Sequence, residues 1–538
     1  MWAWCTTPWC AIYDEKLGGG LFFGVCDPSG MTKRVSVGGD AGMNSICVEY
    51  AHPAPDMTKP GNGVSVRSLV LKAFQGDWFD AAVFYRDWVR KEASWYPREL
   101  LGPEGRTDAP QWFKEMNVWI CDSGKEPALA EKIRKFRDAF GLPCAIHWYN
   151  WHMNPFDNDY PHYKPFDGFA ETVADLQKDG DIHVMPYING RIWDKRDRGL
   201  EDWQFTSIAL PACSKNEDGT PVVERYGSKE SDGSPVEFGV MCPSTQLWQD
   251  KVFENVHKLT CEEGVDGVYI DQIAAAAPAL CMDATHGHPL GGGAWWISSY
   301  GKMLDRILSD VPDDRIITTE CNAENYARYV DGLLTWHVQS NDMIPAFYVV
   351  YGGAVQTFGR AHSGCSPAAY RMKEAQALVW GEQLGWLSVD AALNEELLAY
   401  MRGAARFRSQ IVPYFYKGEM ARPAKFTDEI PECSERWNWG GSTQANTLPA
   451  VLTGSWRIMK QGDSKRPERA VVIFTNYSNE DVSSRVKIDL AELGFDPENV
   501  KLEKIDSEGT RTVLPDGFLN NPIDFPARES WGVELTAK

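Results

Sequence analysis

The chain has 538 residues, with 54 Lys and Arg against 75 Asp and Glu, a formal net charge of −21. That balance excludes the positive potential that a nucleic-acid or anionic-membrane partner needs. Hydrophobic residues make up 43% and charged residues 24%, as in a soluble globular protein of two or three domains.

From the N-terminus, residues 1–76 read as β-rich. "GGGLFFGVCDPSGMTKRVSV" is strand, Asp-Pro-Ser-Gly turn and strand, and "SVRSLVLKAF" is another strand. "MWAWCTTPWC" lacks the basic and apolar stretches of a signal peptide, and no run approaches the ~18 apolar residues of a membrane helix. The 13 cysteines include no CxxC pair, so reduced, buried thiols in a cytoplasmic protein are expected. A chain that begins late would be compatible with a secreted or periplasmic location instead.

Residues 77–111 read as a helix and connector. "DWFDAAVFYRDWVRKEASW" is capped by Asp77 with Asp80 three residues on, and Phe79, Val83 and Trp88 are expected on one side. "YPRELLGPEGRTDAPQW" is rich in Pro and Gly.

Residues 112–410 repeat strand, loop and helix. The predicted strands are "MNVWICD", "CAIHWYNW", "IHVMPYING", "DGVYID", "RIITTE", "GLLTWH", "AFYVVYGG" and "QLGWLSV". Eight strands with intervening helices such as "STQLWQDKVFENVHKL" predict a (β/α)8 barrel. An open doubly wound sheet is the alternative, although no Gly-rich phosphate loop follows the first strand. Residues 411–538 alternate in the β manner in "AVVIFTNYSNEDVSSRVKIDL" and "SWGVELTAK", predicting a C-terminal β-sandwich.

Barrel chemistry sits at the C-terminal ends of the strands. There the sequence places Asp122; Trp148, Asn150 and Trp151; Asn189, Arg191, Trp193 and Asp194; Asp271; Glu320; and Trp336 with His337. Carboxylates, amides, Arg, His and Trp suit a neutral polyhydroxylated ligand, with rings stacking and polar groups bonding hydroxyls. The expected partner is therefore an oligosaccharide or glycoconjugate. Asn150, Asn189, Arg191 and His337 would hold hydroxyls, with Asp122 and Asp194 as further hydroxyl ligands. Trp148, Trp151 and Trp193 would stack on sugar rings.

Asp271 and Glu320 end consecutive strands, which lie about 4.8 Å apart, so their carboxyls can face one another. Hydrolysis of a glycosidic bond needs such a pair. Carboxyls roughly 5–5.5 Å apart act with retention, and about 6.5–9.5 Å with inversion through a water. Glu324 and Asp342 are the alternatives to Glu320 as the acid.

"CMDATHGHPLGGGAWW" lies in a long insertion after strand four. We read it as a lid hinged on its glycines, with His288 or Trp295 touching sugar. His286, His288, Asp283 and Cys281 suggest a metal site only weakly, because no second ligand pair with zinc-like spacing is present. No metal and no organic cofactor are expected.

"DGVYIDQI", "HGHPLGGG" and "TTECNAENY", with the helix "GDWFDAAVFYRDWV", together resemble a bacterial glycoside-hydrolase-like family described only as a domain of unknown function. That family is similar in plan to the endo-α-N-acetylgalactosaminidases and, more distantly, to the α-galactosidase and α-glucosidase barrels. The resemblance spans roughly residues 70–410. It implies retaining hydrolysis of an α-galactoside or α-N-acetylgalactosaminide, with Asp271 as nucleophile and Glu320 as acid/base. In the galactosidase-like relatives the acid comes from strand six, whereas "GLLTWH" carries none. The rival expectations are a carbohydrate-binding protein on a catalytically silent barrel and a metal-dependent hydrolase using His286 and His288.

Overall fold

Eight parallel strands form the centre of the computed structural model, which describes residues 7–40, 42, 45–59, 69–125, 127–198, 201–362, 364–439, 442–463 and 466–538. They are β1 (Val118–Asp122), β2 (Cys144–Trp148), β3 (Ile182–Asn189), β4 (Gly267–Asp271), β5 (Ile316–Glu320), β6 (Gly332–Leu334), β7 (Gln356–Phe358) and β8 (Leu384–Leu387). Each pairs in parallel with the next from β1 to β7, and β8 pairs with β1. The ring closes where Phe358 bridges Gln383 and the Gln383 amide donates to the Thr357 carbonyl at 2.9 Å. Closure rules out the open doubly wound sheet and gives the (β/α)8 barrel.

The strands are runs of apolar and β-branched residues because helices cover the ring outside and side chains fill it inside. All eight residues of β3 are buried. Where β5 buries threonines, each hydroxyl has an acceptor: Thr319 Oγ1 donates to the Ile270 carbonyl at 2.6 Å and Thr318 Oγ1 to the Met185 sulfur at 3.2 Å. Helix Gln246–His257 buries Trp248, Val252 and Val256 at the expected four-residue spacing.

One strand assignment is corrected. "AFYVVYGG" contains the helix Ala346–Tyr351, and the seventh strand is the three-residue Gln356–Phe358 that follows. β-branched and aromatic residues favour strands only where they pack on a pleated surface. Here five of the six helical residues are buried, so a helix buried on nearly every side meets the same demand for apolar contact. Gly353, at φ +77°, accommodates the left-handed turn beyond it.

Ahead of the barrel, strands Trp9–Asp14, Gly19–Val25 and Leu69–Gln75 form an antiparallel sheet. Residues 1–6 and the first four residues of "SVRSLVLKAF" lie outside the described residues. Helix Trp78–Glu92 carries the expected capping box between Asp77 and Asp80. Its buried face is Phe79, Ala82, Tyr85, Arg86 and Val89, while Val83 and Trp88 are only half-buried.

Beyond the barrel, a six-stranded antiparallel sheet runs through Glu419–Ala421, Val451–Met459, Pro467–Asn476, Ser530–Ala537, Val500–Ile505 and Arg511–Val513. Its central strand uses the two-residue period of a sheet covered on both faces. Val471 and Ile473 join the barrel's core, whereas Ala470, Val472 and Phe474 join a separate core with Phe525 and Trp531. Arg422 ties this part to the N-terminal helix, with 2.7 Å bonds to Asp77 and Asp80. No helix among the described residues is long and apolar enough to cross a membrane.

Candidate active site

Strand register sets three polar side chains in a row at the barrel mouth. Asn189 of β3 pairs with Asp271 of β4, and the β4–β5 pairing of Ile270 with Thr319 puts Glu320 beside Asp271 in turn. The next residue after each carboxylate, Gln272 at φ +68° and Cys321 at φ +56°, lies in the left-handed region. Non-glycine residues adopt that conformation at a cost of roughly 1–2 kcal/mol. The chain therefore turns sharply away just past each carboxyl, leaving both at the mouth of a cleft of about 800 Å³.

Asp271 is heavily supported. Its Oδ2 accepts from Tyr187 Oη at 2.9 Å and from Asn189 Nδ2 at 3.3 Å, and its Oδ1 accepts from Tyr269 Oη at 3.1 Å. Glu320 accepts from Trp336 Nε1 at 2.8 Å. The two carboxyls lie within hydrogen-bonding reach of each other, and both are held above their ordinary pKa. For Asp271 the causes are burial and then the charge of Glu320. For Glu320 burial leads, partly opposed by the Trp336 hydrogen bond.

A third carboxyl, Asp157, lines the same cleft from the loop after β2. Burial, and then the charge of Asp271, push it up to about 7. Nothing about "NPFDNDY" marks this Asp in the sequence, since it ends no strand and its loop has no motif. Its backbone lies in the left-handed region at φ +52°, as does that of Asp159 at φ +63°, and that is visible only in three dimensions.

Of the residues expected to bind substrate, Asp122, Asn150 and Trp336 line the cleft beside Asp271 and Glu320. Asn189 is buried and acts on Asp271, while its Oδ1 accepts from the Arg191 and Ile192 amides. The others are corrected by burial. Trp148, Trp151 and Trp193 are 0%, 1% and 3% exposed, with each indole N–H donating to a backbone carbonyl, of Gly124, Tyr187 and Trp203 respectively. These rings are core, not stacking platforms. Arg191 is buried on Glu224 in a fork at 2.8–3.2 Å. Asp194 is buried with Arg196 at 2.8 Å. His337 is buried, and burial first and Arg360 second hold it down to about 3.

His288 is also buried, stacked on Trp295 with ring centroids 3.7 Å apart, and neither lines the cleft. The aromatic rings that do face the cleft are Tyr149, Phe156, Tyr187, Tyr226, Trp336 and Trp386. Phe156 is 43% exposed. An open apolar ring at a polar cleft is the arrangement that a sugar face requires.

The alternatives to Glu320 lie elsewhere. Glu324 is fully buried behind the barrel, accepting from Tyr85 Oη at 2.7 Å and Tyr351 Oη at 2.6 Å. Asp342 is exposed and does not line the cleft.

A family model described as a domain of unknown function, DUF6259, matches residues 65–362, more than half of the chain. The chain belongs to the DUF6259 family. Two curated relatives share 28% identity with this DUF6259 protein. One, from Bacteroides thetaiotaomicron, carries the name "Putative glycoside hydrolase" and aligns over 446 residues, 79% of this chain and 63% of its own. The other, from Monosiga brevicollis, is named "Putative glycoside hydrolase 22789" and aligns over 69% of this chain and 34% of its own. The chain thus spans less than two thirds of the length of either relative.

Among solved structures, an α-N-acetylgalactosaminidase from Bifidobacterium bifidum superposes with a TM-score of 0.57 at 13% identity. The match covers 82% of this chain and 73% of that one. A GH36 α-galactosidase from Geobacillus stearothermophilus superposes with a TM-score of 0.55 at 11% identity over 99% and 69%. At these identities the likeness is one of fold.

Proposed function

We propose that the protein is a retaining glycoside hydrolase acting on an α-linked N-acetylgalactosaminide or galactoside. The observation that carries this reading is the facing of Asp271 and Glu320 at the ends of adjacent strands, inside a cleft walled by aromatic rings and carboxyls. The names of the two relatives and the barrels of the two solved glycosidases support the reaction class and the α-linkage.

Asp271 attacks the anomeric carbon, the bond to the leaving oxygen breaks, and Glu320 gives that oxygen its proton. Glu320 then takes a proton from water, whose oxygen displaces Asp271 from the sugar. Retention is carried over from the family resemblance. In the free site the two carboxyls stand within hydrogen-bonding reach of each other, closer than the roughly 5–5.5 Å of a retaining pair, so substrate has to part them on entry. The mechanism needs the acid proton on Glu320. In the free site burial and the charge of Glu320 push Asp271 up the further of the two, so the proton passes to Glu320 once substrate parts the pair. Three donated hydrogen bonds then stabilise Asp271 as the ionised carboxylate, while Glu320 accepts from the Trp336 indole and the Gln272 amide. Phe156 and Tyr226 are the rings best exposed to stack on a glycone, and Asp122, Asn150 and Asp157 the groups to hold its hydroxyls.

The test is hydrolysis of aryl α- and β-glycosides of galactose, N-acetylgalactosamine, glucose and fucose by wild type and by Asp271→Asn. NMR would identify the first-formed anomer. The expected result is α-galactoside or α-N-acetylgalactosaminide turnover that falls by several orders of magnitude in the variant, with the α-anomer released first. Release of the β-anomer would overturn retention. Undiminished turnover by Asp271→Asn would remove Asp271 from the reaction, and sugar binding without any cleavage would favour the non-catalytic barrel.

A further inference from the structure

Four buried side chains from two insertions meet beside the barrel: Cys242, Cys281, His286 and His288. One donor atom from each lies within 4.8 Å of all the others. Cys242 ends the insertion between β3 and its helix, 281 − 242 = 39 residues before Cys281. It is the fourth member that the sequence pattern lacked.

We propose that this cluster is a structural zinc site, ligated by Cys242 Sγ, Cys281 Sγ, His286 Nδ1 and His288 Nε2. Tetrahedral zinc with Zn–S about 2.3 Å and Zn–N about 2.0–2.1 Å puts neighbouring ligand atoms roughly 3.3–3.8 Å apart. Cys281 Sγ and His286 Nδ1 stand 3.3 Å apart.

The remaining ring nitrogens are committed as metal-bound histidines require. His286 Nε2 lies 2.8 Å from the Pro211 carbonyl and 3.5 Å from Asp283 Oδ2, so its N–H points away from the cluster and Nδ1 keeps its lone pair. His288 Nδ1 lies 2.8 Å from the Pro289 carbonyl. That leaves Nε2 buried with no hydrogen-bond partner, on a residue only 9% exposed. An orphaned imidazole nitrogen in a buried site is costly, and a metal removes the cost. Backbone and carboxylate partners on the second nitrogen are the outer shell that fixes tautomer and ring plane in zinc proteins. Stacking on Trp295, at an interplanar angle of 5°, fixes the His288 ring further.

Asp283 is thus a partner of a ligand, not a ligand itself. Its Oδ1 accepts from the Thr285 amide and hydroxyl.

Two thiols and two neutral imidazoles bind Zn2+ with release of two thiol protons, leaving a site of zero net charge that suits burial. Four protein ligands fill the tetrahedron and leave no position for substrate, so the site is structural. It joins the insertion that carries Tyr226 to the one that follows Gln272, two residues of the cleft wall. This inference is independent of the hydrolase reading.

The experiment is elemental analysis of the full chain, expressed with zinc supplementation and purified without chelator, together with Cys242→Ser and His288→Ala. About one zinc per chain is expected after gel filtration, with loss of zinc in both variants. Should the variants fail to fold, wild type loaded with cobalt(II) gives the readout. Intense visible bands of tetrahedral cobalt, with thiolate charge transfer in the near ultraviolet, are expected. Zinc below ~0.1 per chain with a weak octahedral cobalt spectrum would overturn the site. So would a Cys242–Cys281 disulfide found by peptide mapping of metal-free protein.

Discussion

Asn189 and Asp271 face each other across the β3–β4 ladder, and the Asn189 amide donates to the Asp271 carboxylate at 3.3 Å. The same side chain's oxygen accepts from two backbone amides, so its orientation is fixed before Asp271 is considered. Asn189→Ala should lower kcat/KM by about 10–100-fold, equivalent to ~1.4–2.7 kcal/mol. Stability should fall by about 1–3 kcal/mol for the two amides left unpaired. Asn189→Asp restores the acceptor for those amides but sets a carboxylate against Asp271. Its stability should recover while its activity should not, and steady-state kinetics beside thermal melts would separate the two effects.

Asp157 carries a carboxyl pushed up to about 7 from 3.8. A folded-state pKa above the unfolded value gives stability that is complete below the unfolded pKa and lost as pH rises through the folded one. Asp157→Asn should therefore raise the melting temperature at pH 8 and leave it unchanged near pH 4. Above pH 7 the wild-type carboxylate also opposes ionisation of Glu320. Its removal should move the alkaline limb of kcat/KM to lower pH. A limb that stays in place would show that Asp157 does not act on Glu320.

Glu324, buried between Tyr85 and Tyr351 and pushed up to about 7 by burial, separates structure from chemistry. The wild-type carboxyl loses stability as pH rises from about 4.5 to 7. Glu324→Gln has no such titration, so its melting temperature relative to wild type should climb across that window. Its kcat should stay within about threefold of wild type. A fall of several orders of magnitude would return Glu324 to the role of acid.

What the sequence made legible follows from which features are local. Asp271 and Glu320 could be placed at the barrel mouth because a buried strand that stops on a charge is a pattern within six residues. Trp148, Trp151 and Trp193 misled because their positions at strand ends look the same whether the ring turns toward the cleft or the core. Only packing decides, and here three backbone carbonyls inside the protein claim the indoles. β7 went unseen because three residues carry no period, next to an aromatic helix that imitates a strand. The metal-like cluster looked incomplete because its fourth member comes from another insertion, and Asp157 sits in a loop whose direction no motif sets.

Trp336 donates its indole N–H to Glu320 at 2.8 Å, and that bond favours the ionised carboxyl. Trp336→Phe keeps an aromatic ring in the cleft wall and removes the donor. The Glu320 pKa should then rise further, because a bond that favours the ionised form is lost. Because the acid must be protonated to act, the alkaline limb of kcat/KM should move to higher pH. This is opposite in sign to Asp157→Asn at the same carboxyl. KM for a substrate that stacks on the ring should change little. Opposed shifts in the two variants would identify Glu320 as the group that titrates on the alkaline side. Shifts in the same direction, or none, would assign that limb to another residue and take the acid/base role from Glu320.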